Sequence, residues 1–213
     1  KYSFMDFLTR ETFVGKDDDT QEDIYAVIDK IEIPMIQRDY AQGRKNYNVE
    51  KRGNRNELNT TGEKFINELI AALSDSSQNS EMELDFVYGS IKEMPNGNQK
   101  LKYFYPLDGQ QRLTTLFLLY WFIGGAELNA QSKKELSDIL CNFYYATRTS
   151  SNVFCEKLVS ELNCDTINFL LRTDAEPKET LVTQIENLAW FHNSYKLDPT
   201  VSAMLNMLDR IQE

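Results

Sequence analysis

From Leu113 to Ile123 the chain is apolar on nearly every face of a helix, with Leu113, Leu116, Phe117, Leu119, Tyr120 and Ile123 carrying the pattern. A helix apolar all round has no face to give to water and must be enclosed by other elements. The spacing therefore predicts a central buried helix. It starts abruptly after Asp108 and is expected to stop at Gly124-Gly125, since glycine commonly ends helices.

The flanking patterns say what encloses it. Ile31 to Ile36 alternates as a strand, and Pro34 marks either an edge position or a strand end. Leu84 to Ile91 and Lys102 to Leu107 read as two further strands, and the turn signal Pro95-Asn96-Gly97-Asn98 joins them as an antiparallel hairpin. Between these, Glu63 to Leu73 is an amphipathic helix. Tyr2 to Leu8 and Ile24 to Asp29 read as a helix-rich lead-in around a polar loop, Gly15 to Asp19. From Ser132 onward only helical patterns are visible: Lys133 to Tyr145, Asn152 to Leu162, Thr166 to Leu171, Leu181 to Tyr195 and Thr200 to Ile211. The expected class is α+β. Residues 1–126 form a small mixed sheet around the central helix, and residues 127–213 form an all-helical lobe. The chain opens without Met and closes on a helical pattern at Glu213, so it is expected to be part of a longer protein.

A net charge of −10 argues against a surface that binds polyanions everywhere. Any nucleotide or DNA site must be a local basic patch. One segment qualifies: Arg38, Arg44, Lys45, Lys51, Arg52, Arg55 and Lys64 outnumber Asp39, Glu50, Glu57 and Glu63. Much of it lies in a long polar stretch, Ala41 to Gly62, which is either an ordinary charged loop or a contact for DNA phosphates through Arg44, Lys45, Lys51, Arg52 and Arg55. Cys141, Cys155 and Cys164 have no metal-ligand spacing and fit reduced thiols of a cytoplasmic protein. The single histidine, His192, argues against a zinc site or a histidine-metal nuclease in this chain. The longest apolar run, Leu116 to Ile123, is too short to span a membrane.

Three motifs carry chemistry. Asp108-Gly109-Gln110-Gln111-Arg112 sits where a strand meets the buried helix. The first turn of a helix has unpaired N–H groups and positive potential, a natural seat for phosphate. Gly109 permits close approach, Arg112 offers a planar donor fork, and Gln110 can orient a water or a base edge. Asp108 can hold a divalent metal or take a proton from water. The competing reading is a capping box between Asp108 and Gln111, which needs no ligand. The second motif runs from Ile33 through Gln37-Arg38-Asp39-Tyr40 to Arg44, at a strand exit where α/β sites collect. Arg38 and Arg44 can reach phosphates and Tyr40 can stack on a base, or Arg38 and Asp39 are a surface ion pair of little worth. The third is Thr147-Arg148-Thr149-Ser150-Ser151, where Ser150 or Ser151 reads as a helix N-cap and Arg148 can face the site.

Together these stretches resemble the GmrSD N-terminal domain family of modification-dependent restriction enzymes. Leu107 to Leu116 and Ile33 to Tyr40 carry the likeness. Phe86-Val87-Tyr88-Gly89, Thr147 to Ser151 and Asp198-Pro199-Thr200 extend it, so that it runs from about residue 24 to the end. The resemblance implies a ParB/sulfiredoxin-like core and NTP hydrolysis with Mg²⁺, coupled to recognition or cleavage of modified double-stranded phage DNA. It makes Asp108, Gln110, Gln111 and Arg112 the catalytic nucleotide site, with Asp108 on the metal. Gln37, Arg38, Tyr40 and Gly109 would help bind the nucleotide. Two departures stand out. Relatives often have an aromatic where this chain has Ala41-Gln42-Gly43-Arg44, and they often carry a His-Asn-His nuclease domain, which a chain with one histidine cannot supply. Two functions follow as expectations: an NTPase domain of an antiphage restriction system, or a non-catalytic nucleotide or DNA sensor beside a separate nuclease domain or subunit. A nicking nuclease is a third.

Overall fold

The structure, a computed structural model, describes residues 3–17, 19–35, 39–45, 58–74, 82–84, 86–146, 148–169 and 180–213. Among them α1 (Phe4–Thr9) leads into a two-stranded antiparallel sheet, β1 (Glu11–Lys16) with β2 (Asp23–Val27). The expected helix at Ile24 to Asp29 is thus a strand. Thr12 and Ala26 face inward while Phe13 and Tyr25 pair edge to face outside, an alternation of period two that overrides helical propensity in so short a segment.

The main sheet has the order β4-β5-β3-β6. Its centre is β3 (Lys30–Ile33), with Ile31 and Ile33 wholly buried. Pro34 ends β3; it does not mark an edge. On one side β3 runs parallel to β5 (Gln99–Pro106), and on the other parallel to β6 (Phe143–Tyr145). The outer strand β4 (Gly89–Asn96) pairs antiparallel with β5 through the turn at Gly97-Asn98, as the turn signal required. It starts five residues later than expected, and Pro95 is tolerated because β4 is an edge. Residues 143–145, expected within a helix, instead form β6: Phe143 and Tyr145 are buried and Tyr144 is outside, so the residues after 126 add a strand to the sheet.

The buried helix is α3 (Gln110–Glu127). Phe117, Leu118 and Trp121 are wholly buried, Phe117 stacks on Phe143 at 4.7 Å, and Trp121 Nε1 donates to the Leu158 carbonyl. The helix does not stop at Gly124-Gly125. A methyl group at Gly124 would lie 2.0 Å from Leu136, and one at Gly125 would lie 2.3 Å from the Phe169 ring. These glycines admit close neighbours, and that packing outweighs a helix penalty of about 1 kcal/mol each.

Around α3 lie α2 (Thr60–Ser74), α4 (Ala130–Leu140), α5 (Thr149–Glu161), α6 (Leu181–Asn187) and α7 (Pro199–Gln212). The stretch expected to be one helix from Leu181 to Tyr195 breaks after Asn187 and resumes as a 3₁₀ segment, Asn193–Leu197. Thr166 to Phe169, the described part of another expected helix, is not helical. All three cysteines are free. Among the described residues no helix is long and apolar enough to cross a membrane.

Candidate functional site

Three parallel strands deliver three motifs to one edge of the sheet. With Ile31 opposite Phe104 and Ile33 opposite Tyr145, the carboxyl ends of β3, β5 and β6 are level. Past those ends come Asp39-Tyr40, Asp108 to Arg112, and Arg148. This is the position at which open sheets place ligands.

The mouth of α3 is open. Its N-cap is Gly109, not Asp108, and no side chain caps it. Gly109 has φ +85°, a left-handed conformation, and a side chain there would meet Val87 at 2.7 Å. The capping-box reading therefore fails. Gln111 turns away from the cap and binds the second motif: its Oε1 accepts from the amides of Ala41 (2.6 Å) and Gln42 (3.2 Å), and its Nε2 donates to the Asp39 carbonyl. Gln110 is buried and its Nε2 donates to the carbonyls of Pro106 and Leu107. Both glutamines, expected to act on nucleotide, hold backbone in place.

Beside this mouth lies a pocket of ≈ 360 Å³. Gly109, Gln110, Gln111, Asp108 and Arg112 form one wall; Thr61, Lys64, Phe65 and Glu68 of α2 form the other, with Gln42 between. Each wall carries one ion pair, Lys64–Glu68 at 3.7 Å and Arg112–Asp108 at 3.3 Å. The Arg112 side chain is only 16% exposed and also donates to the Phe86 carbonyl at 2.8 Å, whereas that of Asp108 is 58% exposed. The pair thus joins a largely buried guanidinium to a carboxylate in contact with water. The wall of α2 is fixed from outside by Arg210 of α7, which binds Glu63 at 3.1 Å and Asn67 at 2.7 Å.

Tyr40 is not at the surface. It is wholly buried, and its hydroxyl lies 2.8 Å from Thr115 Oγ1. Thr115 in turn donates toward Gln42 Oε1 and the Gln111 carbonyl. Since both are acceptors, Tyr40 supplies the proton to Thr115, and burial pushes its own ionisation far above the ordinary range. The base-stacking role expected of Tyr40 gives way to a core role.

On the far side of Gln111 a second cluster forms. Arg148 reaches Asp39 at 3.2 Å, and Arg44 reaches it at 3.4 Å. Asp198, nearly buried, caps α7 through the Thr200 amide and accepts from Ser150 and Ser151. The two serines, expected as N-caps of α5, serve α7 instead, and Arg148 is the residue at the N-cap of α5. Thr200 Oγ1 accepts from the Tyr40 amide. Asp39 and Asp198 were not singled out by sequence as site residues; the Asp198-Pro199-Thr200 string was the available signal. Lys45 lies on another face, in a groove of ≈ 230 Å³ with Glu186 and Lys196. His192 is exposed and precedes the 3₁₀ segment. Gln37, Arg38, Lys51, Arg52 and Arg55 lie outside the described residues.

Among the described residues no three Asp, Glu, His or Cys side chains converge to hold a metal. Mg²⁺ commonly takes only one or two carboxylates and completes its shell with phosphates and water. Among the described residues Asp108 and Glu68 are the two carboxylates that line the pocket.

Comparison with protein families matches residues 20–210 to the family described as "GmrSD restriction endonuclease, N-terminal domain". No curated protein and no solved structure matches the chain.

Proposed function

The chain belongs to the GmrSD restriction endonuclease N-terminal domain family, and on that premise we propose that it binds a nucleoside triphosphate at the mouth of α3 and hydrolyses it within a DNA-directed restriction system. Membership makes it a domain of restriction, and hence DNA-handling, type; the nucleotide chemistry is our reading. A single observation supports it most: the uncapped, glycine-opened start of a buried helix faces a pocket that also holds Lys64 and Arg112.

In this reading the first-turn amides and the helix dipole receive phosphate oxygens. Arg112 exchanges Asp108 for phosphate and neutralises charge on the group that leaves. Lys64 does the same from the opposite wall. Asp108, released, lies beside the phosphates, where it can hold Mg²⁺ or position water. Mg²⁺, when bound with the nucleotide, supplies Lewis-acid stabilisation of the phosphoryl oxygens. Gln111 keeps the second motif against the mouth. The ParB-like ancestry belongs to this proposal too, as do cytoplasmic location and contact of Arg44, Lys45, Lys51, Arg52 and Arg55 with DNA.

The test is phosphate release from each NTP with Mg²⁺, using the parent chain, Arg112→Ala and Arg112→Lys. The reading expects release by the parent and at least a hundredfold loss in R112A, with little recovery in R112K because lysine lacks the planar fork. Hydrolysis unchanged in R112A contradicts it.

A second reading has its own observation. Gln110 and Gln111 are both engaged by backbone, and Asp108, the remaining motif side chain that could position water, is paired with Arg112. That favours a nucleotide-binding sensor whose cutting partner is a separate nuclease domain or subunit. Saturable NTP binding without phosphate release selects it.

A further inference from the structure

The geometry points to Phe86 and Tyr88 as the platform that stacks on the base of the nucleotide, an assignment that rests on the phosphate reading of the α3 mouth. Phe86 is 90% exposed and Tyr88 61%, two aromatic rings two residues apart at the surface. Among the described residues neither ring pairs with another ring.

Their exposure is built in. The carbonyl of Phe86 is held by Arg112, and that of Tyr88 accepts from the amides of Leu107 and Asp108. Val87, between them, packs inward on Gly109. The segment is thereby fixed on both edges with its middle residue inside, and the two rings stand on the outer side. Two residues apart in extended chain is roughly 6.6 Å. That is about twice the ~3.4 Å rise between stacked bases. That spacing admits one flat base between two rings held face to face.

Arg112 links this segment to the pocket. It donates to the Phe86 carbonyl while it lines the pocket wall, so one arginine side chain joins the segment that carries the rings to the mouth of α3. In this assignment a single nucleotide bridges the two. A polyphosphate at the α3 mouth comes with a nucleoside triphosphate and not with an internal residue of a DNA strand, so the base assigned to the rings is that of a mononucleotide.

The experiment titrates the whole chain with 2-aminopurine riboside triphosphate and, separately, with inorganic tripolyphosphate, each with Mg²⁺. Stacking quenches 2-aminopurine fluorescence. The parent chain is expected to bind both ligands and quench the first. The Phe86→Leu/Tyr88→Leu double variant keeps apolar bulk and removes the rings. It is expected to bind the nucleotide about tenfold more weakly or worse, without quenching, and to bind tripolyphosphate as before. Phe86→Trp should retain the quench. Undiminished nucleotide affinity and quenching in the double variant overturns the assignment and leaves the phosphate reading standing. So does loss of tripolyphosphate binding in a double variant whose circular dichroism is unchanged, since the rings then support the pocket and not the base. Quenching that depends on these rings only when 2-aminopurine sits in a single-stranded oligonucleotide also overturns it, in favour of a nucleic-acid base. If the parent binds neither ligand, the nucleotide reading falls and this assignment with it.

Discussion

Gln111 shows how one side chain can replace a stretch of sheet. Its amide plane meets two N–H groups and one carbonyl of Asp39 to Gln42, as a neighbouring strand would. Leucine at this position would leave partly buried amides without partners. Gln111→Leu should destabilise the fold by about 2 kcal/mol, read as a lower urea midpoint. Gly109→Ala should destabilise as much or more, because an L-residue at φ +85° is strained and its methyl meets Val87. An unchanged midpoint in either variant would remove the structural role given to that residue. At this scale the sequence was only half legible. Asp-Gly-Gln-Gln-Arg marks the place, but whether Gln111 reaches back to Asp108 or across to Ala41 depends on where a segment 70 residues upstream comes to rest. No local pattern carries that information. The burial of Tyr40 was hidden for the same reason: a tyrosine in a polar run looks solvent-facing until Thr115 of α3 arrives beneath it.

At the scale of elements, the apolar helix and the hairpin before it were readable because each has enough residues to show a period. β6 has three, fewer than two repeats of an alternating pattern, and its neighbours are helical, so it merged with them. The glycines of α3 misled in the opposite direction. Paired glycine ends helices at the surface, but Gly124 and Gly125 are buried against Leu136 and Phe169. Gly125→Val should therefore behave as core overpacking and cost about 3 kcal/mol, measured by thermal unfolding. A loss below about 1 kcal/mol would mean that the Phe169 ring gives way to the added methyls. The Asp198 junction makes a comparable statement about α7. Asp198→Ala removes a cap and strands two serine hydroxyls, so a loss of about 2–3 kcal/mol is expected. A loss below 1 kcal/mol would mean that the serines find water instead.

The whole molecule places three motifs, spread over more than a hundred residues of the chain, at one edge because β3, β5 and β6 are parallel and level. α2 closes the pocket from above, and Arg210 of α7 holds α2 in position. A ligand that binds only the assembled pocket must stabilise the fold. At a hundredfold excess over its dissociation constant the gain is about 2.7 kcal/mol. For a domain of this size that raises the melting temperature by roughly 5–10 °C. The most direct measurement of the central claim is an amide NMR titration of the chain with Mg²⁺ and a nucleoside triphosphate. The account predicts saturable shifts that are largest at the backbone amides of Gly109, Gln110, Gln111 and Arg112. Saturation with those four signals unmoved, or no saturable shift at millimolar ligand, would contradict it.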